Sequence, residues 1–221
     1  MELVDINKDE LVSNELDAQT LTHLNECKEQ FGDANVLHYP DSYLIPQLGK
    51  LKWDGHIYVS GATGAGKSYL IRQIVENDLS TRKIYLFSNV KDDPSLKGLL
   101  LHKYKEGDSL KDSICIFDDY LIRDLRDVIL ETGRHDNTMA IVVNHRHREW
   151  RQTMKPLNES KYVVLFPSAN KGTVVNEMRS LGMNRTQRNA IIELSQHDGR
   201  YMILHQHAPN CVVTQKTIVK L

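Results

Sequence analysis

Residues 61–68 read Gly-Ala-Thr-Gly-Ala-Gly-Lys-Ser, and no other stretch restricts the fold of this chain as tightly. The octet follows a β-rich run at 56–60. It opens a helical pattern at 67–77, in which Leu70, Ile71, Ile74 and Val75 share one face. Glycines at these spacings let the backbone curl into a concave nest whose N–H groups face phosphate oxygens. The positive end of the following helix dipole adds to that field. Lys67 brings a mobile point charge for the β- and γ-phosphates, and the Ser68 hydroxyl is a ligand for Mg²⁺. The pattern predicts that Gly61, Ala62, Thr63, Gly64, Ala65, Gly66, Lys67 and Ser68 bind a nucleoside triphosphate with Mg²⁺.

Around the octet the chain alternates between two periodicities. Runs at 83–89, 113–117, 140–144 and 162–166 are almost continuously apolar, as strands covered on both faces are. Helical patterns fall at 120–132, with Leu121, Leu125, Val128 and Ile129 in a stripe, and at 171–181 and 186–196. Strands alternating with helices imply an α/β fold with a central, mostly parallel sheet flanked by helices. The 221 residues suit one such domain. We expect it over 51–221, ending in a hairpin at about 199–221 that turns near 208–210. Residues 1–50 read as an acidic arm with one helix near 17–31, carrying Leu21, Leu24, Cys27 and Phe31 at helical spacing.

A second cluster lies some 50 residues beyond the first. Ile-Cys-Ile-Phe-Asp-Asp at 114–119 is an apolar strand ending in paired acids. A buried parallel strand delivers its last side chains to the crevice at the sheet's C-terminal edge. Asp118 there would hold Mg²⁺, and Asp119 would orient or deprotonate the attacking water. Read alone, two acids also suit a helix N-cap. The strand at 140–144 closes on Asn144, which fits a sensor of the γ-phosphate or an amide that simply finishes a strand. Asn-Lys-Gly-Thr at 170–173 has Thr where a guanine-reading loop needs an acid, which argues against a GTPase.

This order of motifs resembles the additional-strand catalytic-acid division of P-loop proteins, with its RecA-like and FtsK–HerA motors. Residues 131–137, Glu-Thr-Gly-Arg-His-Asp-Asn, sharpen the likeness. A helix ends at Gly133, and a G-R-H-x-N loop leads into an apolar strand ending in an amide. Over roughly residues 55–170 the chain resembles the genome-packaging ATPases of poxviruses, giant viruses and virophages. That family's strand often ends in Gln, where this one ends in Asn144. The resemblance implies a RecA-like ATPase that moves double-stranded DNA into a viral capsid. It also implies a homo-oligomeric ring of five or six subunits, in which Arg134 reaches the neighbour's ATP, with Arg146 and Arg148 as rivals. A capsid or portal-vertex protein would be a partner, in the host cytoplasm, a virus factory or the virion. Alternatives are a replication or conjugation motor, a low-turnover nucleotide switch and a small-molecule kinase.

Composition narrows the setting. The net charge is −1, but ten Lys/Arg face four acids over residues 134–188, so one region could meet a polyanion. The basic stretch at 144–151 suits a DNA-tracking loop, an interface segment or a solvated helix start. No apolar run reaches the roughly 18 residues that span a bilayer, and the acidic start is unlike a secretory signal. Cys27, Cys115 and Cys211 are isolated, which points to a reducing compartment and an inert Cys115. His205, His207 and Cys211 could ligate a metal by residue type, although a plain hairpin explains them as well.

Overall fold

A computed structural model describes residues 18–38, 53–78, 81–88, 93–118, 123–144, 150–167, 171–206 and 210–221. In chain order the elements begin with α1 (Ala18–Phe31), β1 (Val36–His38), β2 (Ile57–Ser60) and α2 (Lys67–Asp78). Then come β3 (Lys83–Ser88), β4 (Leu101–His102), β5 (Ser113–Asp118), α3 (Arg123–Thr132) and β6 (Met139–Asn144). After these stand α4 (Trp150–Glu159), β7 (Tyr162–Leu165), α5 (Lys171–Ser180) and α6 (Arg185–Asp198). The chain closes with β8 (Met202–His205), β9 (Cys211–Val213) and β10 (Thr217–Lys220).

All ten strands join one sheet, in the order β1-β10-β9-β8-β7-β2-β6-β5-β3-β4. The six from β7 to β4 are parallel, as the alternation predicts. The other four extend the sheet antiparallel from β7. The key placement is β6, which lies between β2 and β5.

Burial on both faces explains the apolar runs. Successive strand residues alternate between two cores. Tyr58, Phe87, Phe117, Val142 and Leu165 face one side, where Phe87 and Phe117 stack at 4.7 Å between centroids. Ile57, Val59, Ile116, Ile141 and Val143 face the other. Helix α2 covers that second face with Leu70, Ile71, Ile74 and Val75, as its stripe predicts. Residues of α1, α3, α4, α5 and α6 cover the first.

Some expectations shift. In α3, Leu125 and Ile129 pack inward as predicted, but Val128 is exposed and Leu130 is buried in its place. Leu121 lies outside the described residues. Helix α4 carries Pro156, which hides it from a propensity reading. The tail folds back once more than expected, with β8 pairing β9 and β9 pairing β10. At the second turn the Thr214 N–H donates to the Thr217 carbonyl, and both threonine hydroxyls donate to the buried Asp198 carboxylate at the end of α6. The acidic N-terminal stretch contributes α1, where Leu24 and Cys27 are buried, Leu21 is exposed and Thr20 bonds His197 of α6. It also contributes β1, the strand that pairs with β10 at the sheet's edge.

Candidate nucleotide site

The parallel strands bring their C-terminal ends to one edge. Across β2 and β6, Ser60 stands opposite Asn144; across β6 and β5, Val143 stands opposite Asp118. The octet starts at that edge, where the Gly61 N–H donates to the Asn144 carbonyl at 3.4 Å. Gly61 and Asp118 therefore lie on the same sheet edge, at the ends of β2 and β5, with the single strand β6 between them.

Within the octet the backbone turns sharply. Gly66 has φ +101°, a conformation that a side chain would strain, and its carbonyl accepts from Leu70 N–H to start α2. Thr63 and Gly64 are exposed, while Ala62, Ala65 and Ser68 are half-buried. Lys67 is 3 % exposed. Its Nζ donates to the carbonyls of Gly61 at 2.9 Å and Ala62 at 2.8 Å. The ammonium is thus drawn back over the start of the loop that it serves.

Asp118 is 8 % exposed, and strand alternation sets it on the same face as Ile114 and Ile116, the face that α2 covers. A carboxylate there and the Ser68 hydroxyl in the first turn of α2 are hard oxygen donors of the kind Mg²⁺ takes. Asp119 lies outside the described residues, as do Arg146 and Arg148.

Asn144 shares a sheet face with Tyr58, and its Nδ2 donates to the Tyr58 hydroxyl at 3.0 Å. That hydroxyl donates in turn to Glu177 Oε1 at 2.8 Å, from α5. Tyr58 and Glu177 are fully buried. Burial first, and then the Glu177 charge, push the Tyr58 hydroxyl well above its ordinary pKa of 10.0, so it stays protonated and able to donate. Sequence reading missed both residues. Tyr58 looks like any aromatic in a strand, and Glu177 sits in a helix with only its own periodicity to announce it.

The G-R-H-x-N loop forms a 3-10 turn, Gly133–Asp136, between α3 and β6. A Cβ on Gly133 would stand 2.6 Å from the Thr138 carbonyl oxygen, so only glycine fits without displacement. Asn137 takes the left-handed conformation at φ 53°. Its side chain accepts from Arg82 at 2.5 Å and donates to Asp112 at 3.0 Å. Gly133 and Asn137 thus have structural reasons. Arg134 and His135 are exposed, and among the described residues neither makes a side-chain hydrogen bond or ion pair. Arg134 precedes β6 while Asn144 ends it. Six strand residues at about 3.3 Å each hold Arg134 on the order of 20 Å from its own chain's octet.

His205 and Cys211 face each other across β8 and β9, both buried. His205 packs its ring against Tyr162, and Cys211 is a free thiol whose pKa burial raises. His207 lies outside the described residues. Among those described, the one grouping of His, Cys, Asp and Glu close enough for a metal is His23, Glu26 and Glu193, where α1 meets α6, away from the octet. Burial pushes the Cys115 thiol up to about 12, so it is inert as expected. No described helix is long and apolar enough to cross a membrane.

Residues 57–130 match the family model of the viral superfamily 1 RNA helicase core domain. The chain is 26 % identical over 185 residues to "Uncharacterized protein V3" of the Sputnik virophage, covering 72 % of this chain and 75 % of that one. Among solved structures it resembles the genome packaging NTPase B204 from Sulfolobus turreted icosahedral virus 2. In complex with sulfate, that protein aligns over 77 % of this chain and 98 % of its own, with TM-score 0.50 and 13 % identity. In complex with ATP-gammaS it aligns over the same shares with TM-score 0.47 and 14 % identity. At such identity the likeness is one of fold, a P-loop NTPase sheet flanked by helices.

Proposed function

We propose that this chain is an ATP-hydrolysing translocase that packages double-stranded DNA into a viral capsid, working as a homo-oligomeric ring. The observation that carries the reading is the placement of β6 between β2 and β5, which lines Gly61, Asp118 and Asn144 along one sheet edge. A viral packaging NTPase of the same fold and a virophage relative support it. The acidic segment 1–50 would act as an arm on the ATPase unit 51–221, anchored through α1 and β1.

Each residue then has a task. The N–H groups of residues 61–68 and the Lys67 ammonium hold the triphosphate. Ser68 and Asp118 would hold Mg²⁺, which when bound neutralises charge on the β- and γ-oxygens. Asp119 orients the attacking water and takes its proton. Asn144 reads the γ-phosphate. Arg134 is too far from its own octet to help there, so it serves the next subunit in the ring. On this reading the chain acts in the host cytoplasm, a virus factory or the virion, against a capsid or portal-vertex protein.

The test is ATP hydrolysis with and without duplex DNA, alongside the mass of the assembly. A packaging motor gives duplex-stimulated turnover from a ring of five or six. The match over 57–130 favours a second reading, an NTP-driven helicase. RNA stimulation with strand separation would select it. Transfer of phosphate to an acceptor other than water would instead indicate a kinase, and bound nucleotide without turnover a switch.

A further inference from the structure

We infer that Tyr58 and Glu177 are positioning residues that set the orientation of the Asn144 amide, and so fix which end of it faces the nucleotide. The inference rests on the ATPase reading above, in which Asn144 works at the γ-phosphate.

A carboxylate accepts only. With Glu177 Oε1 at 2.8 Å, the single hydroxyl hydrogen of Tyr58 is committed to it. The Tyr58 oxygen can then only accept from its other neighbours, Ser60 and Asn144. Asn144 stands at 3.0 Å and must offer Nδ2 rather than Oδ1. An amide is planar, so fixing one end fixes the other. The carboxylate of α5 therefore selects between two amide orientations that are nearly equal in shape and opposite in polarity.

Cost supports a purpose. Glu177 is fully buried, and a buried carboxylate is expensive to keep unless it has a hydrogen-bonding task. A phenylalanine at 58 with an apolar residue at 177 would fill the same space in the core beneath β2. The Tyr58 and Glu177 pair instead runs from α5, through the strand that feeds the octet, to the end of the strand beside it. It links α5, β2 and β6 through two hydrogen bonds.

The substitution Glu177→Gln is nearly isosteric but donates as well as accepts. Gln can donate to the Tyr58 oxygen, which frees the hydroxyl hydrogen for Asn144 Oδ1 and reverses the amide. Tyr58→Phe removes the link altogether. The experiment measures kcat and KM for ATP in the wild type, Tyr58→Phe, Glu177→Gln, Asn144→Ala and the two doubles with Asn144→Ala. Thermal melts confirm folding of each.

Either single change should lower kcat by roughly tenfold or more and leave KM within about twofold. In the Asn144→Ala background both changes should have no further effect on kcat. A folded Tyr58→Phe with wild-type kcat overturns the inference, because it removes the link outright. So does a loss that multiplies with that of Asn144→Ala, since a purely structural role would act independently of the amide. Two routes to the same link, one isosteric, keep the test open if one variant fails to fold. A wild-type chain without turnover would remove the ATPase reading itself, whereas the outcomes above bear on the relay alone.

Discussion

The Nζ of Lys67 donates to the carbonyl oxygen of Gly61 at 2.9 Å, so the one cation of the octet is bonded to its first residue. The Ala62 carbonyl takes a second bond at 2.8 Å. These contacts hold the lysine at 3 % exposure beside the backbone N–H groups that it would help in gripping phosphate. Lys67→Ala removes the charge at the first residue of α2 and puts a good helix former in its place. We expect a cooperatively melting protein whose ATP turnover has fallen by about a hundredfold or more. Steady-state hydrolysis and a thermal melt on one sample check it. Turnover at the original rate would show that the octet serves some other purpose.

The paired acids should separate by what they lose. Asp118 is buried at the end of β5, on the α2 face. Asp118→Asn keeps the shape and removes the charge that metal binding needs, so the Mg²⁺ concentration for half-maximal turnover should rise by about tenfold or more. Asp119→Asn should bind nucleotide with little change and lose turnover, because orienting and deprotonating water is a transition-state task. A Mg²⁺ titration and an equilibrium nucleotide titration on both variants decide. If Asp118→Asn left the Mg²⁺ curve where it was, the metal role would pass to another residue.

Much of this site could be read from residues alone, and the reason is local. The octet spends three glycines and a lysine in eight positions, and chemistry dictates each. The strand at 113–118 is apolar until it meets acid. What escaped reading is held by contacts between segments far apart in the chain. Glu177 matters because α5 brings it to Tyr58, 119 residues away. Strands β1 and β4 are short edge strands whose pairing, not their composition, makes them strands. The G-R-H-x-N loop lies between. Its glycine and asparagine answer to the turn, which only the fold displays, and its arginine answers to neither the turn nor the core.

A pH effect follows from His56. The residue is buried, and its Nδ1 accepts the Ala140 N–H at 2.9 Å, so the ring is held neutral. Burial is the main cause that lowers its pKa below the ordinary 6.5. The unfolded chain therefore takes up a proton here before the folded one does as pH falls. The stabilising contribution is complete above about pH 6.5 and is lost as pH drops through the folded value. His38, also lowered by burial, adds a second contribution of the same sign. His56→Gln keeps an acceptor for Ala140 and has no titrating ring. Denaturant unfolding at about pH 7.5 and about pH 5.5 should show a smaller pH-dependent loss in that variant than in the wild type. Equal losses would mean that His56 titrates alike in both states.

Arg134 offers the sharpest test of assembly. It is exposed, bonded to nothing among the described residues, and held at the start of β6 by a turn that needs Gly133 and Asn137 but not the arginine. Its own octet lies at the far end of that strand, so a role in its own site is ruled out by length. If it reaches a neighbour's γ-phosphate, it supplies charge where charge develops, an effect worth about 10³-fold or more in rate. Arg134→Ala should then lose turnover while its melting and its nucleotide affinity stay near wild type. Lys67→Ala should lose turnover for the separate reason given above. Mixed in one assembly, the two inactive chains create some interfaces with an intact octet facing an intact arginine. Hydrolysis should reappear in the mixture and peak near equal proportions. A mixture as inactive as its parents, from chains shown by mass to co-assemble, would remove Arg134 from the neighbour's site.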